Sequence, residues 1–271
     1  MRKTFLVVLA MFLIFHLATT ASAAPVDLNF WNAESYSSVS GFGDGVWTVG
    51  GSGSYVDQSV NGQPTIFYSD FSALGTDVRG KVQVRTTGDD DFIGFVLGFN
   101  PGDTTNSSAD FMLVDWKQSN QYYDFGGNAA TNATPGTTAN AGLAVSRVTG
   151  TPSADELWGH TNFATNSGGG VSEETRGATL GSTGWADWVE YEFRFIYTTT
   201  NLQVFVDDIL QANLNGSFPD GKLGFYNFSQ NIVRYSAFTV DPAPIPEPTT
   251  MLLLGVGLLG FAGSTIRKLK K

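Results

Sequence analysis

Apolar residues occupy every second position in several segments of this chain, and this period of two constrains the fold more than any other feature. The alternation is present in residues 81–85, 189–195 and 202–206, whereas residues 92–99 are apolar throughout. Alternation is typical of a β-strand with one face on a core and the other in water. A continuous apolar run is typical of a strand covered on both faces. The pattern predicts an all-β fold.

The middle of the chain shows further strand patterns and no convincing helical period. Apolar runs at 111–116, 223–228 and 232–240 predict more strands, and an edge strand is expected at Leu28–Trp31. Residues 126–140 are expected to form a long loop. The chain has no cysteine, so a large core or bound ions must hold it together. We predict two stacked antiparallel sheets, a β-sandwich. The expected core residues are Phe95, Phe99, Met112, Val114, Phe193, Phe195, Val204 and Phe225.

The C-terminus carries a different apolar pattern. Pro246-Glu247-Pro248 is followed by an uncharged apolar run over 251–266 and a basic tail over 267–271. A helix over this run would be about 24 Å long, at ~1.5 Å per residue. This length falls short of the ~30 Å hydrocarbon core of a bilayer. We therefore predict a short C-terminal transmembrane helix with its basic end on the cytoplasmic side.

This C-terminal arrangement resembles the PEP-CTERM sorting signal of Gram-negative bacteria. Proteins with that signal are handled by a membrane transpeptidase called exosortase, and as a class they are linked to exopolysaccharide-producing bacteria. The resemblance implies that residues 243–271 are a sorting signal. It also implies that the chain is anchored transiently in the inner membrane before processing. A plain C-terminal membrane anchor is the alternative interpretation.

The N-terminus predicts export. Basic residues at positions 2 and 3 precede an apolar stretch over 5–17, and small residues occupy 21–23. This order is typical of a secretory signal peptide. We predict a signal peptide helix in residues 1–23, followed by an exported domain over 24–242.

The exported domain is strongly acidic. The two terminal signals hold six basic residues and one acidic residue, so the domain keeps nine basic and 24 acidic residues, a net charge of −15. Such a surface repels nucleic acid and anionic lipid, which both require cationic side chains. It is compatible with divalent cations and with neutral glycans. Solubility alone explains the acidity equally well.

One pair of strands carries a family resemblance. Three aspartates at 89–91 lead into the glycine-spaced run at 92–99, and the next strand ends in Trp-Lys-Gln at 116–118. This pair resembles the thrombospondin C-terminal domain, and similar fragments extend over 47–240. The resemblance implies a concanavalin A-like, or L-type lectin, jelly roll of two antiparallel sheets. The cysteines and preceding calcium-binding repeats of the animal domain have no counterpart here, so its receptor functions are not carried over.

The aspartate triplet is the candidate metal site. Consecutive carboxylates repel one another unless a cation or a basic group neutralises them, and Ca²⁺ prefers oxygen ligands. In the resembling family the triplet lies at a calcium site, which implies Asp89, Asp90 and Asp91 as ligands. A solvated acidic turn is the alternative. Alternation would let Asp89 and Asp91 converge while Asp90 faces elsewhere or closes a loop.

A pair of glutamates raises the possibility of an enzyme. Glycoside hydrolases of the same superfamily fold need two carboxylates facing a sugar. Glu190 and Glu192 share one strand face, which is expected to point outward because Val189, Tyr191 and Phe193 point inward. The alternative is a solvent-facing charged row partly neutralised by Arg194.

The leading hypothesis is a non-catalytic, exported, lectin-like module of the cell envelope or extracellular matrix of a Gram-negative bacterium. Its expected ligands are Ca²⁺ and a glycan or matrix protein, with a matrix or cell-adhesion role. A glycoside hydrolase or lyase using Glu190 and Glu192 is the second hypothesis. The tryptophans at 158, 185 and 188 are expected either to pack in the core or to stack on sugar rings.

Overall fold

Two large antiparallel sheets make up most of this computed structural model, which describes residues 23–37, 41–126, 136–163 and 169–244. The predicted signal peptide and the C-terminal apolar segment lie outside these residues, apart from Ala23. Within the described ranges, no helix is long and apolar enough to cross a membrane.

The structure describes seventeen strands, numbered here in chain order. Their bounds are β1 Ala24–Pro25, β2 Asn32–Ser35, β3 Trp47–Gly50, β4 Tyr55–Gln58, β5 Thr65–Ser72, β6 Thr76–Val84, β7 Phe92–Phe99, β8 Asp110–Lys117, β9 Gln121–Tyr123, β10 Thr137–Ala139, β11 Gly142–Thr149, β12 Gly170–Arg176, β13 Glu190–Tyr197, β14 Asn201–Val206, β15 Ile209–Asn215, β16 Lys222–Phe228 and β17 Val233–Pro242. Within the described ranges, the helices are α1, Ala154–Gly159, and two 3-10 turns at Leu28–Phe30 and Gly51–Gly53.

The strands form a sandwich. Sheet A has the order β15-β14-β13-β6-β17-β4-β3, with β1 beside β17, and sheet B has the order β12-β11-β8-β7-β16-β5-β2. Strands β9 and β10 form a separate pair. Consecutive strands often lie in different sheets, so the chain crosses between sheets repeatedly. The predicted jelly roll of two antiparallel sheets is therefore confirmed.

The main core lies between the two sheets. Phe95 of sheet B packs against Phe193 of sheet A with ring centroids 4.8 Å apart. Phe225 of sheet B stacks on Tyr235 of sheet A at 4.6 Å, with the ring planes 2° from parallel. All eight residues expected in the core are buried, although Phe99 belongs to a second apolar layer.

The second apolar layer covers the outer face of sheet B. Strand β7 is buried at all eight positions because alternate residues point into each layer: Phe95 into the main core, and Phe92 and Val96 into the outer layer. Helix α1 closes this layer with Leu157 and Trp158. The expectation of a strand covered on both faces is confirmed.

Three local expectations were wrong. Residues 28–30 form a 3-10 turn rather than an edge strand, because the Asp27 carboxylate accepts from the Asn29 backbone N–H and caps a helical turn. Helix α1 was not expected, yet Ser153 and Glu156 form a reciprocal capping box at its start. Val189 is 42% exposed rather than inward, since β13 begins one residue later.

Candidate metal site

The aspartate triplet lies in the loop between β6 and β7, at the end of the sandwich where β8 finishes. One carboxylate oxygen from each of Asp89, Asp90 and Asp91 lies within 4.8 Å of the other two. All three side chains therefore converge, whereas sequence alternation had Asp90 facing elsewhere. The difference arises because the triplet precedes the first paired residue of β7 and is not bound by strand alternation.

A buried lysine lies against two of these carboxylates. The Nζ atom of Lys117 is 2.5 Å from Asp91 Oδ1 and 3.2 Å from Asp90 Oδ1, and the lysine side chain has no exposed surface. It also donates to the Asp90 carbonyl oxygen and to Gln121 Oε1, at 2.9 and 3.0 Å. The Trp158 ring lies 4.9 Å from the same ammonium. Sequence analysis missed this lysine as a site residue, although it is the central residue of the Trp-Lys-Gln at 116–118 that carries the family resemblance.

One ammonium does not balance three carboxylates. Burial and the neighbouring Asp91 raise the pKa of Asp89 to about 7. Burial also raises the pKa of Asp91, and Lys117 only partly opposes this effect. Burial acts in the same direction on Asp90, but hydrogen bonds from Ser119 and the nearby Lys117 outweigh it, so the pKa of Asp90 is lowered. Negative charge is therefore least well compensated at Asp89 and Asp91.

The geometry fits a hard divalent cation. Calcium–oxygen distances are about 2.3–2.6 Å, so two ligand oxygens on opposite sides of the ion lie about 5 Å apart. The three carboxylate oxygens of the triplet lie within 4.8 Å of one another, which is close enough for one ion to contact all three. When all three carboxylates are ionised, they and the ammonium carry a net charge of −2, which one divalent ion neutralises. The Asn61 side chain donates to Asp89 Oδ2 at 2.8 Å and accepts from the Ser229 hydroxyl at 3.1 Å, which helps to hold Asp89 in place. The residues present therefore suit Ca²⁺.

The two glutamates lie on the outer face of sheet A. Glu190 Oε1 is 2.6 Å from Lys81 Nζ, and Glu192 Oε1 is 3.0 Å from Arg79 Nη1. Arg194 pairs instead with Asp77 at 2.6 Å, so it is not the partner that the sequence suggested. Lys81 and Arg79 come from neighbouring β6, and together these side chains form a row of ion pairs along the sheet. This arrangement favours a charged surface over a hydrolytic pair.

A second charged cluster lies at the C-terminal end of α1, where the His160 side chain is buried. His160 Nε2 lies 2.9 Å from Asp115 Oδ2, and Nδ1 lies 3.2 Å from Glu173 Oε2. Burial alone would lower the pKa of His160, but the two carboxylates raise it to about 9. The hydrogen bond from His160, helped by Arg176, lowers the pKa of Glu173 to about 2 despite partial burial. The sequence alone did not reveal this cluster.

The three tryptophans differ in exposure, and the expected core packing is confirmed for two of them. Trp158 and Trp185 are buried, and Trp185 Nε1 donates to the Asp91 carbonyl oxygen at 3.1 Å, which fixes the backbone of the triplet. Trp188 is 55% exposed beside the end of β6. Only Trp188 of these three is open to a ligand.

The comparisons with known proteins agree with this architecture. The profile of the thrombospondin C-terminal region matches residues 43–243, and that of the PEP-CTERM protein-sorting motif matches residues 244–268. The chain is 27% identical to thrombospondin-3b of Danio rerio over 200 residues and 29% identical to thrombospondin-2 of Gallus gallus over 202 residues. Each match covers 70% of this chain but only 20% and 16% of the relative. The chain thus spans about a fifth or less of the curated relatives it matches.

Solved structures with a similar arrangement were also found. The carbohydrate-binding module CBM66 from Bacillus subtilis aligns with a TM-score of 0.46 and 9% identity, covering 81% of this chain and 97% of the module. A glycoside hydrolase family 16 endo-glucanase from Bacteroides ovatus aligns with a TM-score of 0.44 and 11% identity, covering 80% and 98%.

The first of these two profile matches covers most of the strands described above, and the second follows it directly along the chain. The sorting motif indicates export to the cell surface of a Gram-negative bacterium. The chain belongs to the thrombospondin C-terminal region family.

Proposed function

We propose that this chain is a calcium-binding, lectin-like module that is sorted to the cell envelope or extracellular matrix, where it binds a glycan or a matrix protein without catalysing a reaction. The observation that carries the proposal is the uncompensated charge at Asp89–Asp91, where three convergent carboxylates face one buried ammonium. Family membership adds support, because the triplet resembles the calcium site of the thrombospondin domain.

Calcium binding would stabilise this end of the domain. The loop that carries the triplet contacts the start of β7, the end of β8 and, through Gln230 and Asn61, two further loops. A cation that binds only the folded state stabilises it by mass action. The domain has no disulfide and a net charge of −15, so such a contribution would offset repulsion that opposes folding.

The sorting step would require the C-terminal residues. In the proposal, the basic tail holds the apolar segment at the inner membrane, and an exosortase-type enzyme recognises Pro246-Glu247-Pro248 and releases the domain. The sorting-motif match over 244–268 supports this order of events. The membrane contact would thus be transient.

A binding role fits the surface better than hydrolysis. The carboxylates of Glu190 and Glu192 are each held by a cation of β6. A glycosidase needs one protonated acid and one free carboxylate across a cleft. Neither glutamate lines the open cleft formed by residues 118–120, 140–141, 176 and 181–182.

A glycan array tests the proposal. The full chain, purified in detergent, would be probed in calcium and in the chelator EGTA. Binding to glycans or matrix polysaccharides that EGTA abolishes is the expected result. Absence of any glycan or matrix-protein ligand in calcium would contradict the proposal, and release of shorter sugars from bound glycans would favour the hydrolase.

A further inference from the structure

An open cleft lies beside the acidic triplet, at the same end of the sandwich. Its walls are the turn after β8, the residues between β10 and β11, and the loop between β12 and β13. The polar residues that line it are Gln118, Ser119, Asn120, Asn140, Arg176 and Ser182.

Hydrogen bonds between the walls build this cleft. Arg176 Nη1 donates to the carbonyl oxygens of Ala141 and Gly181 at 2.8 and 2.9 Å, which ties two walls together. Asn120 Oδ1 accepts from the Ala141 backbone N–H at 2.6 Å, which ties the turn after β8 to the residues between β10 and β11. A Cβ atom on Gly184 would lie 1.9 Å from the Gln118 carbonyl oxygen, so the absence of a side chain there lets two walls approach closely.

The cleft offers uncharged hydrogen-bonding groups. Gln118 Nε2 makes only a long contact, 3.4 Å, to Asp187. Within the described residues, the Asn140 and Ser182 side chains make no hydrogen bond, so an amide and a hydroxyl remain available. The Arg176 guanidinium is committed to the two carbonyls and to Glu173 at 3.0–3.1 Å.

The first wall is fixed to the triplet. The Gln118 backbone N–H donates to the Asp90 carbonyl oxygen at 3.1 Å, and the Ser119 hydroxyl donates to the Asp90 carboxylate. Lys117, the residue before them, holds Asp90 and Asp91. The position of the cleft wall thus depends on the geometry of the candidate metal site.

We propose that this cleft is the glycan-binding site and that it recognises the hydroxyl groups of an uncharged glycan through Gln118, Asn140 and Ser182. Amides and hydroxyls pair with sugar hydroxyls as both donors and acceptors. An anionic glycan would meet a guanidinium already paired with Glu173 and a domain of net charge −15. An apolar peptide would find no large apolar side chain among the lining residues. The inference rests on the proposed lectin-like function and adds the place and the ligand class.

The test compares a variant that lacks two amides of the cleft with a control variant that lacks an amide elsewhere. Neutral glucan, mannan and galactan oligosaccharides, with matched uronic acid oligosaccharides, would be titrated into the full chain in calcium. The double change Gln118→Ala with Asn140→Ala should weaken binding of the neutral oligosaccharide about tenfold, since each lost hydrogen bond contributes several-fold. The change Gln203→Ala removes a half-buried amide from β14 of sheet A and should leave the affinity unchanged. Melting temperatures of all variants verify folding, and hydrogen exchange should show protection of 118–120 and 181–183 on binding.

The outcomes separate the two proposals. Equal affinity of the double variant and the wild type would overturn the cleft assignment and leave the lectin-like function standing. Binding restricted to uronic acid oligosaccharides would overturn the uncharged class. Failure of the wild type to bind any glycan in calcium would overturn the proposed function, and the cleft assignment with it.

Discussion

The ammonium of Lys117 lies 2.5 Å from a carboxylate oxygen of Asp91, at a place where the lysine side chain has no exposed surface and that of the aspartate only 5%. A buried ion pair of this kind contributes little net stability compared with apolar residues, but loss of one partner leaves an uncompensated charge. The pair also places a fixed positive charge beside the candidate calcium ligands. This geometry links the stability of the fold both to the presence of the lysine and to calcium.

Replacement of the buried lysine should be costly. The change Lys117→Met leaves Asp90 and Asp91 without their cation, so the free energy of unfolding in EGTA should fall by about 3–5 kcal/mol. Millimolar calcium should restore part of this loss, because the site without the lysine carries one more uncompensated negative charge that the cation can neutralise. Urea denaturation of the full chain, with and without calcium, measures both effects.

The control for that change is Lys81→Met. Lys81 pairs with Glu190 at 2.6 Å, but both side chains are partly exposed, at 39% and 45%. Exposed pairs of this kind contribute about 0–1 kcal/mol. A loss at Lys117 no larger than that at Lys81 would show that the buried pair does not hold this end of the domain.

The His160 cluster predicts a loss of stability at alkaline pH. The folded-state pKa of His160 is raised to about 9, above its ordinary 6.5, so protonation stabilises the fold fully below about 6.5. That contribution, about 3 kcal/mol, is lost as pH rises from about 6.5 to 9. The pKa of Asp89 is about 7, so the titration of this carboxylate changes the free energy of unfolding mainly at pH values below this window.

Denaturation between pH 7 and 9.5 measures the effect, and the imidazole NMR shifts locate the titration. Replacement of the histidine by glutamine, His160→Gln, should flatten the dependence of unfolding free energy on pH in that range. A wild-type imidazole that titrates near 6.5 would contradict the assignment of a charged, doubly paired His160.

The sorting signal predicts a processing defect. Replacement of Pro246, Glu247 and Pro248 by alanine should leave export intact but retain the chain in the inner membrane in unprocessed form, because the apolar segment still stops in the bilayer. Mass spectrometry of envelope fractions identifies the C-terminus. The neighbouring change Pro244→Ala should be processed normally, and normal processing of the triple variant would argue against the PEP-CTERM interpretation.

The sequence predicted the elements with regular local patterns. Phe193 and Phe195 alternate with charged residues, and β7 is apolar at every position, so periodicity alone located both strands and the core. Helix α1 escaped because six residues are too short for a helical period. Its capping box at Ser153 and Glu156 was the local signal that could have revealed it.

The surroundings of the aspartate triplet could not be predicted from the sequence, for a different reason. Three adjacent aspartates are visible in the sequence, but their negative charge is partly balanced by Lys117, which β8 brings to the same end of the sandwich. The His160 cluster joins residues from β8, β12 and the end of α1. Contacts of this kind depend on strand order and register, which no local pattern specifies.

The most direct measurement is a calcium titration of thermal stability with the variant Asp89→Asn. This variant is cleaner than a change at Asp91, because Asp91 also pairs with buried Lys117. Extracellular calcium sites have dissociation constants of about 0.1–1 mM, and calcium at 100 times that constant stabilises the fold by about 2.7 kcal/mol. Asp89→Asn should also stabilise the metal-free chain at neutral pH, since it removes a repelled carboxylate.

The control is Asp208→Asn, which removes an exposed carboxylate from the β14–β15 turn. Calcium should raise the melting temperature of the wild type and of Asp208→Asn by the same amount. Magnesium should substitute poorly, and Asp89→Asn should lose most of the shift. An equal calcium shift in the wild type and Asp89→Asn, or none in the wild type, would contradict a calcium site at the triplet.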